Sequence, residues 1–205
     1  MQKRILSTAL ALLLIITLQV KAQQLKQVNI DQRWFVGSSF LMFGNLSKTN
    51  NPEYIQINAG YRVTPKDVVQ FRFKRSIYAW PLGIPFGPSF DAPGLNYPGH
   101  ARILAPQLGY QRFWWKGVYT SLYALNAFEK YKDENNKKIG SGYTLYLDFY
   151  LGYQFRFFKS RFFFEPGIGC SYWPVRTNVP ESFKAAEQRW PNYFIQPNLD
   201  FGFNF

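Results

Sequence analysis

The chain is poor in the residues that build compact chemical sites. It holds one cysteine, Cys170, and one histidine, His100, in 205 residues. A lone cysteine excludes an intramolecular disulfide. Cys170 also lies far from the N-terminus, which excludes lipid attachment at a mature N-terminal cysteine. One His and one Cys cannot assemble a zinc site of several such ligands. Long apolar runs are missing as well. After residue 20 no segment approaches the ~20 continuous apolar residues that a spanning helix needs. Acidic residues are scarce, which leaves a net charge of +12. The positive charge is spread over turns, loops and strands. That spread disfavours nucleic acid and favours anionic lipid head groups as the partner.

What is present begins with Lys3 and Arg4, an apolar run over residues 5–20, then Lys21-Ala22-Gln23. A basic start, an apolar stretch and a small residue at the cut predict a signal peptide over 1–22. Residues 23–32 then read as a lead-in, and 33–205 as one β domain. Hydrophobic residues make 47% and aromatics 20% of the chain, in alternation and without long runs. A membrane barrel reads this way, and so does a soluble β-sandwich or lipocalin-like barrel.

The alternation predicts eight strands, at 33–46, 53–63, 68–78, 102–115, 118–131, 143–158, 161–173 and 192–205. After the first link (47–52), lengths go short (64–67), long (79–101), short (116–117), long (132–142), short (159–160) and long (174–191). Outer-membrane barrels sort short turns to one end and long loops to the other, and a sandwich has no reason to. A two-residue turn at Lys159-Ser160 sets Phe155 opposite Phe164, Leu151 opposite Ile168 and Phe149 opposite Cys170. Gln154 then meets Glu165, and Asp148 meets Ser171, so polar meets polar. The turn Lys116-Gly117 would pair Tyr110 with Tyr123 and Leu108 with Leu125. The link at 64–67 demands an odd loop or a bulge to keep Tyr61 and Phe71 on one face. Pro106, Pro166 and Pro197 lie inside strands, where proline cannot donate to a ladder; they call for bulges, or for strands standing above the membrane.

In the last strand Tyr193, Ile195, Leu199, Phe201, Phe203 and Phe205 share one face, and Gln196, Asn198, Asp200 and Asn204 the other. This period-2 strand with an aromatic end resembles the closing strand of small Gram-negative outer-membrane β-barrels. The resemblance spans about residues 34–205 and rests on pattern, not on a catalytic signature. It implies an all-β, antiparallel, up-and-down eight-stranded transmembrane β-barrel with long extracellular loops. It further implies a monomer in the cell outer membrane, inserted by the barrel-assembly machinery, meeting outer-membrane lipids and lipopolysaccharide, with no cofactor and no nucleic acid.

Parity sends Arg62, Arg72, Lys74, Asp148, Arg156, Glu165 and Asp200 inward. Eight strands leave room for little beyond side chains, so these charges are expected to pair into an ion-pair network that plugs the lumen. The loops supply a candidate contact surface. Trp80, Phe86, Phe90, Tyr97 and His100 belong to a proline-stiffened loop. Phe183, Lys184, Arg189 and Trp190 belong to a predicted short amphipathic helix after Pro180, folded over the mouth. Residues 132–142 read as a polar, mobile tip. Trp34, Trp114, Trp115, Trp173 and Tyr193 sit where aromatic girdles would lie. The favoured role is a non-enzymatic structural or surface-interaction protein. A lipid A deacylase or acyltransferase would need a hydroxyl near a base, and no spacing links Ser89 or Ser182 to His100. A narrow transporter is the third reading.

Overall fold

The computed structural model describes residues 32–48, 51–79, 97–188 and 191–205. The signal peptide, most of the lead-in, and Trp80, Phe86, Phe90, Arg189 and Trp190 lie outside the described residues. Among those described, the strands are β1 (Trp34–Ser39), β2 (Ile55–Arg62), β3 (Asp67–Ala79), β4 (Gly99–Trp115) and β5 (Val118–Asp133). They continue with β6 (Lys138–Tyr153), β7 (Phe155–Phe157), β8 (Phe162–Thr177) and β9 (Tyr193–Asn204). A 3-10 helix (Phe40–Leu46) follows β1, and α1 (Glu181–Glu187) lies between β8 and β9. The nine strands form one antiparallel sheet. β1 to β6 pair in sequence order, β6 and β7 both pair with β8, β8 pairs with β9, and β9 returns to β1, so the sheet closes in a ring. Trp34 and Phe205 exchange backbone hydrogen bonds of 3.2 and 2.9 Å where the chain ends meet.

The register at the last short turn is the expected one. Phe149 meets Cys170, Leu151 meets Ile168, Asp148 meets Ser171 and Phe155 meets Phe164. Between β2 and β3 the link is odd: Val63 N–H donates to Asp67 at 2.9 Å, and Tyr61 stays level with Val69. The turn at Lys116-Gly117 is tight because both residues adopt positive φ, 40° and 91°, the twist that a two-residue hairpin favours. Its pairing corrects the expected one. A bulge at Trp114 shifts β4 by one residue, so Leu108 meets Ala124 and Tyr123 meets Gly109. The Tyr123 ring lies over Gly109 so closely that a Cβ there would come within 1.8 Å of it.

The strand prolines take none of the expected bulges. Hydrogen-bond parity gives the reason in each case. Pro106 turns its missing N–H toward β5, and the β4–β5 ladder skips Ala105 and Pro106 without changing register. Pro166 faces β6 at the level of Tyr153. There the expected strand 143–158 breaks at Gln154 into β6 and β7, which is why nine strands are seen where eight were expected. Pro197 faces the side where β1 has already ended.

Other boundaries moved. The first predicted strand ends at Ser39 and becomes the 3-10 helix. The expected tip at 132–142 is largely ladder: β5 and β6 leave only residues 134–137 as a turn, held by Asp133 Oδ1 accepting from Asn135 and Lys137 N–H, each at 2.9 Å. Gly99 and His100 belong to β4.

The polarity of the ring is inverted relative to a water-soluble core. Outward Ile57, Phe71, Leu108, Leu122, Phe149, Ile168 and Ile195 are exposed, and inward Gln56, Asn58, Arg72, Gln107, Gln111, Asp148, Glu165 and Asp200 are buried. The end with the short links is filled by Phe35, Val68, Phe113, Tyr119 and Phe163. The other end is filled by Ala79, Tyr97, Ala101, Tyr131, Phe183 and Ala186. Among the described residues no helix is long and apolar enough to cross a membrane.

Candidate functional site

Strand alternation aims the seven charged residues singled out above at the lumen, where six are held by hydrogen bonds or an ion pair and Lys74 lies over the Tyr54 ring, its Nζ 5.4 Å from the centroid. Arg72 from β3 and Asp200 from β9 form a buried ion pair, with Arg72 Nη2 2.9 Å from Asp200 Oδ2. The Arg72 guanidinium also lies 4.0 Å from the Tyr123 ring centroid and donates to the Tyr123 hydroxyl at 2.6 Å. Among the seven residues this is the one direct ion pair.

The expected plug of ion pairs is therefore mostly a plug of amides. Glu165 accepts from Gln111 at 2.8 Å and from Gln154 at 2.6 Å. Asp148 accepts from Gln107 at 3.0 Å and from the Ser171 hydroxyl. Arg62 and Arg156 share the Gln154 carbonyl, at 3.5 and 2.5 Å, and both stack on Phe113. Arg62 also donates to Asn204 at 3.3 Å. A neutral amide can donate to one charge and accept from another, so it relays between groups too distant to touch. Gln154, at the break between β6 and β7, does this for Glu165 and both arginines.

The mouth at the other end holds a second polar group that sequence reading missed. Glu187 on α1 accepts from Arg176 of β8 and, at 3.2 Å, from the Tyr78 hydroxyl. Arg176 also reaches Thr144 at 3.4 Å and stacks on Trp173 with its carbon 5.4 Å from the ring centroid. Burial pushes the Glu187 carboxyl up, and Arg176 and Tyr78 pull it part of the way back. Glu129, 1% exposed, accepts from Tyr131 through one oxygen, and among the described residues its Oε1 has no hydrogen-bond partner. Glu129 and Tyr131 were missed because the expected pairing set the odd residues of β5 outward with Tyr110 and Leu108, and the bulge at Trp114 turns them inward. Arg176 was missed too. β8 carries an extra residue opposite Tyr146, between the Leu147–Tyr172 and Leu145–Val175 pairs, which reverses its parity from there on.

The predicted helix is present over the mouth, capped by Pro180. Phe183 is wholly buried, with ring centroids 5.6 Å from Tyr97 and 4.9 Å from Tyr131. Phe183 and Tyr97 therefore serve as internal packing and not as contact surface. His100 is 7% exposed inside β4, opposite Lys132. Lys184 is on the outside, 2.5 Å from Glu181. A cleft of about 540 Å³ opens beside α1, lined by Trp173, Arg176, Lys184, Glu187 and neighbouring amides. Ser182 sits on the exposed side of α1, away from the buried His100. Among the described residues no group of three or more His, Cys, Asp or Glu could hold a metal. Comparison with family models, curated proteins and solved structures finds no match for the chain.

Proposed function

We propose that the chain is a small outer-membrane β-barrel with a closed lumen, acting as a non-enzymatic structural or surface-interaction protein. The observation that carries this reading is the inverted polarity of a closed ring. Apolar side chains cover the outside, and glutamines, asparagines and charges fill the inside. In water such a surface would associate; in a bilayer it is the ordinary arrangement, and closure removes the unpaired edges that lipid cannot solvate. Counting β6 and β7 as one stave broken at Gln154 gives the eight staves of the smallest such barrels. In this reading the short links face the periplasm, and α1 and the long links face outward. The amide network and the two hydrophobic plugs argue against an open pore.

The test is extraction and gel migration of the protein from membranes. The reading expects release only by detergent and faster migration of the unheated protein. Quantitative release in salt without detergent would overturn it.

A further inference from the structure

The two ends of the ring differ in how their charges are matched. At the end with the short links, backbone hydrogen bonds tie the rim segments together. Arg62 N–H donates to Arg33, Phe113 to Lys66, Gln154 to Gly117 and Asn204 to Arg161. This rim carries Arg33, Lys66, Lys116, Lys159 and Arg161, all exposed or half-buried. Among its described residues Asp67 is the one acidic side chain. Asp67 is already held by Arg112 at 2.6 Å, by the Thr64 hydroxyl at 2.5 Å and by the Tyr110 hydroxyl. Among the described residues no carboxylate pairs with Lys66, Lys116, Lys159 or Arg161. At the other end basic side chains meet acids. Arg75 and Arg102 reach Glu53 at 2.7 and 3.5 Å, Lys184 reaches Glu181 at 2.5 Å, and Glu187 holds Arg176. The short-link rim is thus left with an excess of one sign of charge.

Two of its cations lie against the outer wall. Lys116 Nζ is 4.7 Å from the Trp115 ring centroid, and the Arg112 guanidinium is 5.2 Å from that of Trp114. Trp34, Trp114 and Trp115 are 55%, 58% and 63% exposed, and exposed tryptophan suits the layer where acyl chains meet headgroups. The lumen behind them is closed by Phe35, Val68, Phe113, Tyr119 and Phe163. The last short link reaches beyond the others. Gly117 is level with Gln154, and β7 then runs on with β8 as its ladder partner. The turn that follows sets Phe158, Lys159 and Ser160 at φ of 49°, 58° and 69°. Three left-handed residues in a row, none of them glycine, make a costly backbone, and such strain clusters where a ligand is held. Here it keeps Phe158 81% exposed, beside exposed Lys159 and Arg161. An apolar ring next to two cations suits a ligand whose anionic group adjoins an apolar part.

We propose that the short-link rim is a collar for anionic glycerophospholipids of the adjoining leaflet. Lys66, Lys116, Lys159 and Arg161 take the headgroup phosphates, and Phe158 and the tryptophans lie at the boundary with the acyl chains. The proposal deepens the membrane reading and rests on it; failure of that reading would show separately as extraction without detergent. The experiment places the full-length protein in nanodiscs of phosphatidylcholine and phosphatidylglycerol in equal parts. Native mass spectrometry reads which lipids stay on the protein as the disc is stripped. A basic residue beside an anionic membrane strengthens attachment about fivefold. Phosphatidylglycerol should therefore be retained in preference to phosphatidylcholine by at least about tenfold. Lys66→Gln/Lys116→Gln/Lys159→Gln/Arg161→Gln should abolish that preference. The matched set at the other end, Lys130→Gln/Lys132→Gln/Lys137→Gln/Lys138→Gln, should leave it within about threefold. No preference in the parent protein, a preference untouched by the rim set, or equal loss in both sets would each overturn the proposal. So would binding of a soluble anionic cell-wall glycopeptide that the rim set abolishes while phosphatidylglycerol retention is unchanged, since the rim would then serve a periplasmic polymer.

Discussion

Arg72 shows what a single residue contributes in this lumen. It meets Asp200, Tyr123 and Gln70 at once, so removing it strands a carboxylate that is 2% exposed. Arg72→Met is expected to cost about 3–5 kcal/mol, the usual penalty for breaking a buried pair. Adding Asp200→Leu should return part of that loss, because the pair is then replaced by packing. Urea unfolding of the two variants and their combination checks this, and strictly additive losses would show that the residues are not coupled. Both residues were readable from alternation alone. The turn at 159–160 also supplied two of the partners, Gln154 for Glu165 and Ser171 for Asp148. What alternation could not supply are the partners that reach across the lumen, Gln111 for Glu165 and Gln107 for Asp148, because β4 is a neighbour of neither β8 nor β6. Arg176 fails for another reason, its parity reversed by the extra residue in β8.

The elements are governed by where backbone donors are missing. Pro166 lies beside the break at Gln154, facing Tyr153 with no N–H to offer. Pro166→Val is expected to restore one ladder bond, adding about 1 kcal/mol and protecting the new amide from hydrogen exchange. An unprotected amide at 166 would mean that the break has another cause. Phe183 is the side chain that α1 buries most fully, beside the Glu187 contacts to Arg176 and Tyr78. Phe183→Ala removes the ring that fills the socket of Tyr97, Tyr131, Ala79 and Ala101, at a cost of about 3–5 kcal/mol. That cost should fall on α1 alone, as rapid proteolysis within 178–188 while the ring stays folded; unchanged resistance there would show that the helix is held otherwise. The turn at 116–117, the odd link at 64–66 and the helix after Pro180 were legible because Gly, Pro and parity mark them locally. The end of β1 was not, because Pro197, which accounts for it, lies 158 residues downstream of Ser39.

At the scale of the whole molecule, the apolar outer face and the polar interior are the same fact seen from two sides. Leu108 is 62% exposed near the middle of β4, level with outward Phe71, and Tyr193 is 53% exposed at the rim. An arginine at a lipid-facing position costs about 2–4 kcal/mol at the bilayer midplane and about 0–1 near the interface. On a water-facing surface it would cost nearly nothing at either place. Folding free energies in phospholipid vesicles for Leu108→Arg and Tyr193→Arg therefore test the inverted polarity directly. The expected result is a loss of about 2–4 kcal/mol for Leu108→Arg and under about 1 kcal/mol for Tyr193→Arg. Equal and negligible losses at both positions, with the Leu108→Arg protein soluble without detergent, would contradict the membrane barrel.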